Sequence, residues 1–151
     1  MQENQERKIH PKSLAREYVV QALYQQQMTD SSLDFIIKQF QDNENMPRPV
    51  YRMFKKYLCQ ITEHNEAILD LLKPQVRSLE EIHVLTLAIL KLAIYELNYC
   101  FDVPYKAVIN EAVELAKNFG IIDAAQFVNG VLDKIAPTCR TLECRKKLGD
   151  S

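Results

Sequence analysis

Cations and aromatics are the residues of this chain whose types and spacing could do chemistry. The stretch "RKIHPKSLAREYVVQALY", residues 7 to 24, gathers Arg7, Lys8, Lys12 and Arg16 ahead of Tyr24. A second, "RPVYRMFKK" at 48 to 56, holds Arg48, Arg52, Lys55 and Lys56 without an acid. Further along, Lys106 follows Tyr105, and Phe119 and Phe127 flank the turn from Gly120 to Asp123. The chemistry these types share is contact with a polyanion. Cations neutralise phosphates and release counterions, and an exposed ring offers a base a stacking face. A formal net charge of -1 does not oppose this, because charge acts locally, over a Debye length of about 8 Å at physiological salt. Core packing is the commoner fate of an aromatic, and a solvated face that of a charge, so spacing alone makes nucleic acid a candidate and no more.

Catalytic patterns are missing from the sequence. His10, His64 and His83 stand singly, without a nucleophile and an orienting group at a recognisable spacing. The three glycines form neither a dinucleotide-binding nor a Walker motif, and HExxH is missing, so no cofactor or metal is expected. Cys59, Cys100, Cys139 and Cys144 lack the density and pairing of a disulfide framework, and are read as reduced thiols in a cytoplasmic protein. Asn110 and Glu111 could pass for a catalytic pair, but on a largely buried helix such a pair more commonly bonds a neighbouring element.

The elements that must position these residues are helical. At 151 residues, 47% hydrophobic and with 3 Gly, the chain can bury one real core. Pro11 opens a first helix running to about Met28, with Ala15, Val19, Ala22 and Leu23 inward. "SSLDFIIKQFQD" makes a second behind Ser31 or Ser32, and a long third runs from Val50 to Lys73 until Pro74. A capping box from Ser78 to Glu81 opens a fourth, apolar nearly all round from Ile82 to Leu97. Its longest apolar run, Val84 to Tyr95, is twelve residues, too short for the roughly 20 that span a bilayer, and the polar N-terminus lacks the apolar block of a secretory signal. The fifth enters through Asp102 and Pro104 and stops at Gly120; the last has Asp123 as N-cap and ends at Pro137. Gly130 inside it costs about 1 kcal/mol against Ala, and close approach of another backbone would account for it. The expected fold is all-α, six or seven helices in two packed halves. The expected divisions are a flexible segment at 1–10, a helical domain at 11–138 and a solvated basic extension at 139–151.

Three strings then add specificity. "LKLAIYELNYCFDVPYKAVINEAVELAKNFG" followed by "FVNGVLDKIAP", with "AREYVVQALY" in its place near the start, resembles the NusB transcription antitermination family over residues 8 to about 138. The resemblance implies an all-helical RNA-binding protein, not an enzyme. It would pair with NusE, a small-subunit ribosomal protein, bind the boxA element of nascent ribosomal RNA transcripts, and help RNA polymerase escape termination. It further implies that RNA is met by Lys12, Arg16, Lys106, Phe119, Asp123 and Phe127, across a groove between the first and C-terminal helices. Tyr24, with Thr86 and Lys91 on the fourth helix, would face NusE. Phenylalanines that stack on splayed bases favour a single-stranded target. Such a surface, left uncovered, also invites self-association into a homodimer when NusE is absent.

This chain departs from the family at telling places. Ser13 and Leu14 interrupt what is a denser arginine cluster in many relatives. Thr86 and Leu87 stand where glutamate and arginine are frequent, and Lys91 replaces an arginine whose bidentate contact a lysine does not reproduce. Two other readings compete. One is the NusB-like domain attached to ribosomal RNA cytosine methyltransferases, for whose catalytic domain 151 residues leave no room; the other is a helical protein-interaction module without RNA specificity. The thinned cluster predicts weak RNA binding by the isolated protein and partner-dependent binding otherwise. A salt titration with and without NusE checks this, and tight partner-independent binding would contradict it.

Overall fold

Helix α5 (Val84–Tyr99) is the element around which the others are arranged. Its Ile89, Leu90, Leu92, Ile94, Tyr95 and Leu97 are all fully buried, which happens only when a helix is covered on every side. The structure is a computed structural model, and it describes residues 9–147. One lobe holds α1 (Pro11–Thr29), α2 (Leu33–Asn43) and α3 (Arg48–Glu63); the other holds α4 (Asn65–Leu72), α6 (Tyr105–Asn118), α7 (Ile122–Cys139) and α8 (Thr141–Lys147). Helix α5 packs against α1 and α3 on one side and α4, α6 and α7 on the other. The described residues contain no strand, as expected of an all-α fold, and none of their helices is long and apolar enough to cross a membrane.

Local chemistry fixes several ends. His10, expected in a flexible start, caps α1: its Nδ1 accepts from the Lys12 N–H at 3.1 Å. Arg7 and Lys8 lie outside the described residues. Ser32 caps α2 by accepting from the Phe35 N–H at 3.1 Å. Gly120 ends α6 at φ 79°, the left-handed conformation that suits glycine, and the Ile121 N–H reaches back to the Ala116 carbonyl at 2.9 Å.

Several expected boundaries move. The helix predicted from Val50 to Lys73 divides at His64, with no proline or glycine at the break. The His64 ring stacks on Tyr99 at 4.4 Å, and the bend lets Ile61 before it and Ile68 and Leu72 after it all reach the core. Ser78 caps only a 3-10 turn (Leu79–Glu81), and α5 begins later, behind His83, whose Nδ1 accepts from the Leu85 N–H. The N-cap position of α7 belongs to Ile121, leaving Asp123 in the first turn, where a carboxylate suits the helix dipole. Pro137 does not end α7, which runs two residues further to Cys139.

The start of the expected solvated extension, residues 139–144, instead docks, and residues 148–151 lie outside the described residues. Arg140 is 4% exposed and donates to the carbonyls of Glu96 (3.1 Å), Leu97 (2.8 Å) and Cys100 (2.9 Å), capping the negative end of α5. Glu143 pairs with Arg140 and accepts from the Tyr105 N–H at 3.1 Å, so one short segment joins the end of α5 to the start of α6. Burial works against the Glu143 carboxylate, but these two donors outweigh it and hold its pKa low. Gly130 has no close neighbour: a Cβ there would meet nothing within 4 Å. Gly130→Ala is therefore expected to raise stability by up to about 1 kcal/mol. A urea-unfolding midpoint that rises would bear this out, and one that falls would reinstate the close approach.

Candidate nucleic-acid interface

The cations and rings singled out by sequence divide between three surroundings. Asp123 and Phe127 lie one turn apart on α7, on the rim of a cleft of about 490 Å³ whose opposite wall is the segment from Val76 to Thr86. Phe127 is 42% exposed, so its ring is available to a ligand, and Asp123 is exposed beside it. Thr86, expected on the partner-facing side of α5, is 4% exposed and instead forms part of the floor of this cleft. Burial confines it to lining rather than reaching out. Arg77, Glu81 and His83 complete the wall. The sequence reading gave Arg77 no role and Glu81 only that of a capping residue, because their segment read as a helix start rather than as the side of a groove.

Lys12 and Arg16 stand four residues apart on α1, in a row beside its core stripe, yet the structure separates them. Lys12 is exposed in the first turn. Arg16 is 5% exposed: its Nε donates to Glu96 at 2.9 Å and its Nη2 at 2.8 Å, a two-pronged pair made across 80 residues of sequence. Tyr57 adds a third donor to the same carboxylate at 2.7 Å, and Glu111 stands 3.8 Å from the remaining nitrogen. Burial by itself lowers the Arg16 pKa, but the hydrogen bond and charge of Glu96 outweigh it and raise the group further. The assignment of Arg16 to RNA phosphate is thus corrected: the guanidinium is already spent on a buried carboxylate and is shielded from solvent. It acts as a positioning residue for α1.

The expected groove between α1 and the C-terminal helices is also corrected in character. A hollow of about 340 Å³ does lie between α1 and α6, but Glu17, Glu111 and Glu114 line it together with His10 and Ser13. Burial and the neighbouring Glu111 raise the Glu17 pKa, which shows carboxylates crowding rather than a bed for phosphate. Glu111 accepts from the Ser13 hydroxyl at 3.0 Å, so the residue that could pass for half of a catalytic pair bonds a neighbouring helix.

The remaining residues are spread out. Lys106 is exposed in the first turn of α6, and Phe119, at the end of that helix, is half-buried against the core. Tyr24 is 38% exposed on α1, whereas Lys91 is half-buried on α5, where burial lowers its pKa.

Eight α-helices among the described residues, arranged about the buried α5, with an aromatic and a carboxylate on the rim of a surface cleft, define an all-α domain of the binding type. The model of the NusB family matches residues 13–137, and the chain belongs to that family. Transcription antitermination protein NusB of Mannheimia succiniciproducens is 41% identical over 138 residues, covering 91% of this chain and 96% of that one. Among solved structures, T. maritima NusB is 30% identical with a TM-score of 0.81, covering 91% of this chain and 99% of its own. A crystal structure of antitermination factors NusB and NusE in complex with dsRNA matches at 21% identity and a TM-score of 0.79 over 87% of this chain and 99% of that one, a likeness of fold.

Removing Arg16 should be costly for the fold, because it strands the Glu96 carboxylate. Arg16→Ala is expected to lose about 3–5 kcal/mol of stability, measured by chemical denaturation. A loss below about 1 kcal/mol would instead mark the pair as an ordinary surface contact.

Proposed function

We propose that this protein is a cytoplasmic transcription antitermination factor that binds boxA RNA of nascent ribosomal transcripts together with NusE. The observation that carries the reading is the match to a curated antitermination protein along 91% of the chain. It is supported by Phe127 standing open beside Asp123 on the α7 rim of the cleft.

Each residue then has a role that its surroundings permit. Lys12 and Lys106, both exposed in the first turns of their helices, hold phosphates. Phe127 stacks on a splayed base, and Asp123 accepts from a base edge or limits RNA affinity by repulsion. Phe119, half-buried, backs this surface from the α6 end. Tyr24 and Lys91 face NusE, while Thr86 lies on the floor of the α7 cleft. Arg16 acts indirectly, by holding α1 through Glu96 so that Lys12 and Tyr24 point outward. The complex so formed joins the RNA polymerase antitermination assembly, and the exposed NusE face pairs two copies when NusE is absent.

The target is single-stranded RNA in this reading, since only unpaired bases present faces to Phe127. Gel-shift with NusE, using boxA, a scrambled strand and a duplex, tests it. Lys12→Ala should weaken binding to every RNA alike and lower the salt slope by about 0.7, the share of one phosphate contact. Phe127→Ala should weaken boxA by about 1–3 kcal/mol while barely affecting the scrambled strand. Normal boxA binding by both variants, or a preference for the duplex, would overturn the assignment.

A further inference from the structure

The second basic segment has no part in the surface just described. Arg48, Arg52, Lys55 and Lys56 belong to α3, in the lobe of α1 and α2, whereas the cleft lies at α7 in the other lobe. All four side chains are exposed. At 100° per residue they fall within an arc of about 100°, and at 1.5 Å per residue they extend about 12 Å along the helix. The stripe is therefore straight, narrow and continuous.

Its charges are uncompensated. Among the described residues none of the four has a carboxylate within 4.0 Å; the same holds for the scattered exposed Lys12, Lys73, Lys106 and Lys134, whereas Lys38, Arg77 and Lys117 pair, and only on α3 do four such cations stand together. Helix α3 has no acid in its first turn and no side-chain cap, so Arg48 stands at the positive end of the helix dipole, where a cation is disfavoured. Arg48 and Arg52 also line a hollow of about 580 Å³ at the α2–α3 corner. Glu44, the carboxylate on that hollow, accepts from the Tyr18 hydroxyl at 3.2 Å and not from either arginine. An arrangement that opposes the dipole and forgoes ion pairs concentrates positive potential for an external anion to relieve.

We propose that the α3 stripe of Arg48, Arg52, Lys55 and Lys56 is a second RNA-binding surface, which takes the phosphate backbone of single-stranded RNA flanking the element held at the α7 cleft. It rests on the reading of the protein as RNA-binding. A polyphosphate strand fits better than an acidic protein. A strand presents one charge about every 3.4 Å when stacked, so 12 Å of helix meets three or four phosphates, whereas a protein interface is anchored by buried aromatic or apolar residues. The exposed residues of the stripe are cations alone, and of the two aromatics in the same segment Tyr51 is half-buried against Phe54, which is fully buried. Contacts of this kind read no sequence. They lengthen the hold on the transcript without changing what is recognised.

Fluorescence anisotropy on the full chain with NusE present tests this with a short boxA strand, a scrambled strand of the same length, the boxA strand extended by a uridine tract, oligouridine alone and polyglutamate. The Arg52→Ala/Lys56→Ala variant should bind the short strand as the wild type does. It should bind the extended strand and oligouridine about tenfold more weakly at low salt, with a salt slope smaller by about 1.4. Arg52→Lys/Lys56→Arg should restore both, and circular dichroism controls for folding. Unchanged affinity and slope on the longer probes would overturn the proposal. So would an equal loss on the short strand, or tighter binding of polyglutamate than of oligouridine. If the wild type fails to prefer boxA over a scrambled strand while oligouridine binding still falls in the variant, the antitermination reading fails and the stripe stands.

Discussion

The buried carboxylate of Glu96 is the constraint on which the rest of the structure depends. At 1% exposure it is cut off from water, and it accepts three hydrogen bonds from Arg16 and one from Tyr57 in its place. Arg16 comes from α1 and Tyr57 from α3, so one side chain of α5 ties down two helices of the neighbouring lobe. From the other end of the chain Arg140 closes on the backbone carbonyls of the same turn. A planar guanidinium meets a carboxylate in few arrangements. The pair therefore fixes the rotation of α1 about its own axis, and with it the outward direction of Lys12 and Tyr24.

Electrostatics then separates the surface into faces with different uses. Carboxylates converge where α1 meets α6, on Glu17, Glu111 and Glu114, and that hollow repels a polyanion. The cleft at α7 mixes an exposed ring with a carboxylate and a basic wall residue, a composition suited to a base rather than to bare phosphate. The α3 stripe is cationic throughout and carries no exposed ring. A net charge of -1 is the sum of these unlike faces and describes none of them.

Much of the fold was legible because helical periodicity survives in a chain whose elements are all amphipathic or fully buried. Positions such as Ala15, Val19, Ala22 and Leu23 are buried as their spacing implied. The failures are at junctions. Nothing local marks His64 as a break, because the bend is driven by its stacking on Tyr99, 35 positions away, and by the need of α4 to lie against α5. Ser78 to Glu81 satisfies the capping pattern, but packing uses it for a 3-10 turn and leaves the N-cap of α5 to His83. The tail read as solvated because its basic composition is that of a free extension. Its docking depends on α5 carbonyls that sequence does not place.

The sequence by itself determined the all-helical class, the family and the supply of cations and rings near the site. Those properties follow from residue type and short-range spacing, which do not change on folding. Tertiary structure alone decided which cations face water. Lys12 and Arg16 are four residues apart on one helix, and both would be solvated by default. Arg16 is buried because folding brings Glu96 to it from 80 residues away, and Arg140 because the last turn of α5 leaves carbonyls for it to cap. A buried charge needs a partner, and only the folded chain supplies one.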